Sequence, residues 1–150
     1  MTIMSKQDEF SDAQTVTATA ISTSVIDLTL GQSGLTTIDI GNGEPIYLVI
    51  QVDTAVTQTG SGTVTFSLES DSTANLATSA TVHWTSGAIA KATLVAEYIV
   101  VRMALPLGNY ERYLGVRYTV SETLLTGAFS AWLCKDMQAA DKLYADALSV

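Results

Sequence analysis

Apolar and polar side chains alternate along much of the chain with a period of two. That is the spacing at which successive side chains of a half-buried strand point to opposite faces. In "GTVTFSLES", Val64, Phe66 and Leu68 fall on one face, and Thr63, Thr65, Ser67 and Glu69 on the other. In "RYLGVRYTV", Leu114, Val116, Tyr118 and Val120 oppose Tyr113, Gly115, Arg117 and Thr119. "PIYLVIQV" is apolar on both faces as far as Gln51, as expected of a strand in the middle of a sheet. "SVIDLTL", "ATVHWTS", "LVAEYIVVRM" and "AFSAWLCKD" bring the candidate strands to at least seven.

Turn residues punctuate these runs: Gly31 to Gly34, "GNGEP" at 41–45, "GSG" at 60–62, "ESDSTAN" at 69–75, "SG" at 86–87, "LPLGN" at 105–109 and "TG" at 126–127. Pro45 and Pro106 fall at strand boundaries, where a missing amide donor costs nothing. Many short strands without long helical patterns between them predict an all-β fold, an antiparallel sandwich, jelly roll or barrel. "ESDSTANLATSA" reads as one helical turn or a long loop. Residues 1–10 carry little pattern and read as an N-terminal arm, leaving 11–150 as one β-domain that includes a C-terminal tail. In that tail Met137, Ala140, Tyr144 and Ala147 stand near helical spacing, so it is either a short helix or an extended, docked segment.

Composition sharpens the picture. A chain of 150 residues fits one domain. Only 15% of residues are charged, against about 25% in ordinary globular proteins, and serine and threonine supply the polar surface instead. Hydroxyls cost less to desolvate than ions, so such a surface suits contact with another protein. Net charge is −8 and no basic cluster is present, so neither nucleic acid nor membrane is expected as a partner: phosphates need cationic groups, and anionic membrane surfaces are disfavoured by the same sign argument. The single cysteine forms no internal disulfide and fits a reducing cytoplasm. "MTIMSKQDEF" is too polar for a signal peptide. The apolar run from Leu94 to Leu107 is broken by Glu97 and Arg102 and is too short to span a bilayer.

Little in the inventory points to catalysis, a metal or a cofactor. His83 is the only histidine, and nothing marks a nucleophile and carboxylate to complete a triad around it. Alternation sets it on the face opposite Val82 and Trp84, toward solvent or an interface. Cys134 follows Trp132 at strand spacing and reads as a small buried apolar residue. One His and one Cys make no zinc set. Glu69, Asp71 and Asn75 offer oxygens for a calcium ion, but their spacing matches no EF-hand loop, and polar turns are commonly just turns. Asp8 and Glu9 in the arm, and Asp136, Asp141 and Asp146 in the tail, lack the buried framework that general acid–base chemistry needs. No glycine-rich phosphate loop is present. The densest recognition chemistry is "LPLGNYERYLGVRYTV", where Tyr110, Arg112 and Tyr113 are of the types protein interfaces favour. The alternative is that Glu111 pairs with Arg112 and the tyrosines complete the core.

Three blocks in order, "FSDAQTVTATAISTSVIDL", "GNGEPIYLVIQVDTA" and "LPLGNYERYLGVRYTV…LLTGAFSAWLCKDMQ", resemble the capsid cement (decoration) proteins of short-tailed phages of the Bordetella phage type. The resemblance runs from about Phe10 to Tyr144. It implies a jelly-roll-like antiparallel β-sandwich that forms homodimers on the outer surface of an icosahedral virion. There it would clamp neighbouring major capsid protein subunits after synthesis in the bacterial cytoplasm, with no catalytic residues. Gly115 departs from the pattern, standing where a bulkier or charged residue is expected after "ERYL". On this reading Phe10 anchors the arm on the capsid, and Tyr110, Arg112, Tyr113 and Tyr144 are the candidate contacts. A different reading is a carbohydrate-binding jelly-roll module of a tail or fibre, using Trp84, Trp132 or Tyr110 as an aromatic platform.

Overall fold

The alternating segments form strands, and the order in which the strands pair sets the architecture. The computed structural model describes residues 6–29, 40, 43–77 and 79–135. Among these are nine strands: β1 Glu9–Thr15, β2 Ala20–Ile21, β3 Ile26–Asp27, β4 Tyr47–Thr57, β5 Thr63–Asp71, β6 Thr81–Ala90, β7 Ile99–Ala104, β8 Tyr113–Val120 and β9 Thr126–Cys134. There is no helix among the described residues, and hence none long and apolar enough to cross a membrane.

Pairing runs from the outside of the chain inward. β1 pairs with β9, β2 and β3 with β8, β4 with β7, and β5 with β6, all antiparallel. This is one long hairpin whose tip is the β5–β6 connection. Rolling it brings β4 against β9 and β5 against β8. Two sheets result, β1-β9-β4-β7 and β2-β8-β5-β6, with β3 also on β8. β2 and β3 act as one interrupted strand: Ala20 and Ile21 face Tyr118 and Arg117, and Ile26 and Asp27 face Leu114 and Tyr113. The Ser22 amide bridges the break to the Val116 carbonyl at 2.7 Å. The result is the jelly-roll sandwich that the resemblance implies.

Alternation decides what lies between the sheets. Val64, Phe66 and Leu68 of β5 and Leu114, Val116 and Tyr118 of β8 are fully buried. They meet Leu48, Ile50 and Val52 of β4 and Phe129 and Ala131 of β9 from the other sheet. At the centre Phe66 packs edge-on against Tyr118 and Phe129, with ring centroids 5.8 and 5.0 Å away, and Tyr118 stacks on Phe129 at 5.3 Å. Each such pair adds about 0.5–1.5 kcal/mol beyond its buried area. The Tyr118 hydroxyl meets Ser11 Oγ of β1 at 2.5 Å, so the one polar atom of the cluster has a partner in the opposite sheet. Burial pushes the Tyr118 phenol well above its usual pKa. As "PIYLVIQV" predicts, β4 is internal to its sheet and buried on both faces: Val49 packs outward against Trp132.

Several expectations are corrected. Phe10 is not an arm residue: it sits in β1 and is fully buried in the core. The domain therefore begins at least two residues before position 11. β1 escaped the period-two reading because its register slips twice against β9, once beside Ala13 with its φ of 44°. "SG" at 86–87 is not a turn between strands but a bulge inside β6, where Ser86 Oγ accepts from the Phe66 amide in place of a backbone carbonyl. "TG" at 126–127 opens β9 in extended conformation. "ESDSTANLATSA" contains no helix among its described residues. The C-terminal tail, Tyr144 included, lies outside the described residues, as do Gly31 to Gly34.

Phe10→Ala should therefore cost about 3–5 kcal/mol of folding stability, as expected for a fully buried aromatic. Urea unfolding followed by circular dichroism measures it. A midpoint equal to wild type would return Phe10 to a free arm.

Candidate interaction surface

The loops gather at the two ends of the sandwich. One end carries the β5–β6 and β7–β8 connections, and the recognition-rich segment lies there. The other carries the β1–β2, β4–β5, β6–β7 and β8–β9 connections.

At the first end Tyr110 is a core residue, not an exposed contact. Its side chain is fully buried, its hydroxyl donates to the Pro106 carbonyl at 2.5 Å, and its ring stacks on His83 at 4.0 Å. A tyrosine reaching back to the backbone a few residues upstream ties down a corner. The anchoring explains why "LPLGNY" keeps one shape. His83 is not on the face opposite Val82 and Trp84, because a bulge between the Leu68 and Glu69 pairs inserts it as an extra residue of β6. Trp84 thereby faces the core with Leu68, and Val82 faces outward with Glu69. His83 Nε2 lies 2.7 Å from the fully buried Ser70 Oγ, which accepts from the Glu111 amide at 3.1 Å. Ser70 Oγ thus ties the imidazole of β6 to the backbone at Glu111. This serine–histidine contact joins a fully buried hydroxyl to a half-buried ring and fixes the loop.

Arg112 and Tyr113 are half-buried, and the exposed part of the segment is Leu107 to Asn109. Arg112 Nε and Nη2 donate to both carboxylate oxygens of Asp27 at 2.9–3.3 Å, and its guanidinium lies 4.9 Å from the Tyr113 ring centroid. Thr29 adds its amide and hydroxyl to Asp27 Oδ1 at 3.0 and 2.7 Å. Arg112 foremost, then Thr29, holds the Asp27 carboxyl far below the ordinary range. The arginine pairs across strands with Asp27 of β3, and not with its neighbour Glu111.

Glu69, Asp71 and Asn75 each have other work. Glu69 accepts from Arg117 Nε at 2.7 Å and from Ser67 Oγ at 2.6 Å. Asp71 takes the amides of Thr73 and Ser79, and Asn75 takes the Ala77 amide. Together these bonds strap the β5–β6 connection over the outer face of its sheet. Leu76, with a φ of 48°, is the buried pin of the strap. Its carbonyl accepts from Arg117 Nη2 at 2.6 Å. A Cβ on Gly115 would lie 2.7 Å from Leu76 Cδ1 and 3.3 Å from Ser22 Oγ, which is why glycine stands there.

The aromatic platform of the carbohydrate reading is not present as expected. Trp132 and Tyr110 are buried, and Trp84 packs half-buried on the core. Cys134, expected to be buried, is partly exposed beside Trp132. The residues that sequence reasoning missed are the large apolar ones left outside: Leu107 at 82% and Leu125 at 65% exposure, with Val82 and Val95 just over half exposed. Leu107 had a visible signal, a leucine between proline and glycine in a turn, where nothing on either side can cover it.

With this geometry in view, the comparison with known families is decisive on one point. The Bbp16 family model matches residues 10–133, from the buried Phe10 to the last strand. The chain belongs to the Bbp16 family. Bbp16 is a family of Bordetella phage proteins, so this is a phage protein. No curated protein matches the sequence. The Bbp16 match takes in all nine strands, short only of Glu9 and Cys134 at their outer ends.

Two predictions follow from these contacts. Gly115→Ala should destabilise by about 1–3 kcal/mol, as overpacking does, and by less in a Leu76→Ala background, where the opposing methyl is gone. Equal costs in both backgrounds would disprove the pin. Burial, partly offset by Glu111, lowers the His83 pKa from its ordinary 6.5. A depressed folded-state pKa gives stability that is whole above the unfolded value. It is lost as pH falls from 6.5 through the folded-state value. NMR titration of His83 should show the depressed pKa, and His83→Gln should flatten that part of the stability profile.

Proposed function

We propose that this Bbp16 protein is a non-enzymatic capsid cement protein. It binds the outer surface of an icosahedral phage shell and bridges major capsid protein subunits against internal pressure. The observation that carries the reading is the family match to a phage protein over almost the whole rolled sandwich.

The chemistry of the described residues supports it. The groups an enzyme would use are engaged in holding the fold: His83 with Ser70, Arg112 with Asp27, and Arg117 with Glu69. A brace needs a rigid body with contact area and no reactive group. Homodimers follow from the same logic, because a sandwich has exposed sheet edges, and a twofold mate hides one of them at no cost in new sequence. Linking two capsid sites through a dimer raises avidity by about 10²–10⁴ over one site, so modest contacts suffice.

Mixing the purified protein with expanded capsids that lack it should give saturable co-sedimentation at a fixed stoichiometry and raise the temperature at which the shells rupture. Sedimentation of the free protein should give twice the chain mass. Absence of co-sedimentation, with unchanged shell stability, would refute the cement role.

A further inference from the structure

Val82, Val95, Leu107 and Leu125 are the large apolar side chains standing more than half exposed among the described residues. Scattered exposed apolar residues are ordinary on any protein. These divide by position. Leu107, in the β7–β8 connection, and Val82, at the start of β6, belong to one end of the sandwich. Val95, in the β6–β7 connection, and Leu125, just before β9, belong to the opposite end.

The two leucines stand on anchored loops. Beneath Leu107 the buried Tyr110 ties its hydroxyl to the Pro106 carbonyl and stacks on His83. At the other end the Leu125 amide donates to the Thr57 carbonyl at 2.9 Å, and the amide of the buried Leu124 donates to the Thr17 carbonyl at 2.9 Å. The Thr57 and Thr126 hydroxyls meet at 2.7 Å beside them. Val95 borders an open groove of about 330 Å³ that also takes in Val56, Thr57 and Leu94. Apolar groups held in place before binding lose little freedom on contact, which is the condition for an anchor.

Charge selects the partner. Lys6, Arg112, Arg117 and Lys135 are each paired with a carboxylate, and Lys91 donates to the Gln58 carbonyl. A net charge of −8 further disfavours the phosphates of lipid or nucleic acid as partners. The complementary surface is an apolar socket on a protein.

We propose that the two ends are separate contact surfaces. Leu107 with Val82 seats in one capsid subunit and Leu125 with Val95 in another, so that a single copy spans two neighbours along its strand direction. This rests on the cement reading and adds to it where the grip lies.

The test uses Leu107→Asp, Leu125→Asp and the double variant, with Thr85→Asp as a charge control on the exposed face of β6, away from both ends. Binding is read by co-sedimentation with capsids lacking the protein, and reinforcement by the rupture temperature of saturated shells. Each single variant should attach about tenfold or more weakly. At saturation it should give no gain in rupture temperature, because a brace held at one end transmits no force. The double variant should not attach, and Thr85→Asp should match wild type. If an aspartate lowers the urea midpoint of the free protein, the corresponding serine variant is read in its place. A single variant that protects saturated shells as well as wild type overturns the two-ended grip. Failure of wild type to attach overturns the cement reading instead.

Discussion

The sandwich depends on the contact among Phe66, Tyr118 and Phe129, because these rings come from both sheets and fill the space between them. Two of them lie on the paired strands β5 and β8, and the third on β9 of the opposite sheet. Ring centroids 5.0 to 5.8 Å apart interlock the sheets, and a one-residue slip of any of these strands against its paired neighbour would turn its inward side chains outward. The Tyr118 hydroxyl adds direction. It would be costly to bury alone, and it finds Ser11 Oγ on β1. One residue thus links β8, near the end of the chain, to β1, near its start, and fixes the closing pair of the roll.

Polar side chains then settle what the core leaves open. The outer faces of β5 and β8 carry Ser67, Glu69 and Arg117, which would ordinarily be solvated. Here the β5–β6 connection folds over them, and Arg117 holds both the Glu69 carboxylate and the Leu76 carbonyl. Leu76 reaches its place through a left-handed backbone that a leucine seldom adopts. The position opposite is a glycine for the complementary reason, as any side chain at 115 would occupy the volume the leucine fills. A low-charge sequence spends most of its few ions in this way, on local geometry.

How much of this was legible in the sequence follows from what period-two alternation reports. It assigns faces correctly wherever pairing is regular, as in β5, β8 and the doubly buried β4. It fails where a bulge inserts a residue: at His83, at Ser86 and Gly87, and twice along β1, which hid a core strand inside an apparent arm. Composition misled in a different way. Tyrosine and arginine are common at interfaces, yet Tyr110 is buried and Arg112 is bound to Asp27 from a strand 85 residues away in sequence. No local pattern announces a partner that distant. Gly115 looked like a departure from a family pattern because its cause, Leu76, is supplied by another loop.

The arrangement of strands also bears on what such a body is good for. β4 runs 11 residues from Tyr47 at one end of the sandwich to Thr57 at the other, a span of about 35 Å at the usual rise per residue. β9 pairs with it along this whole length, β7 pairs with it from Tyr47 to Gln51, and the Val52 and Val56 amides donate to Tyr98 and Leu94 beyond, so it bends only with the rest of its sheet. Thr57 receives the Leu125 amide, and at the far end Ile46, which precedes β4, takes the Leu105 amide just before the loop that carries Leu107. A displacement of one exposed leucine is therefore carried to the other through covalent chain and close-packed core. Stiffness between two points of contact is a property of this strand order, and it needs no side chain to react.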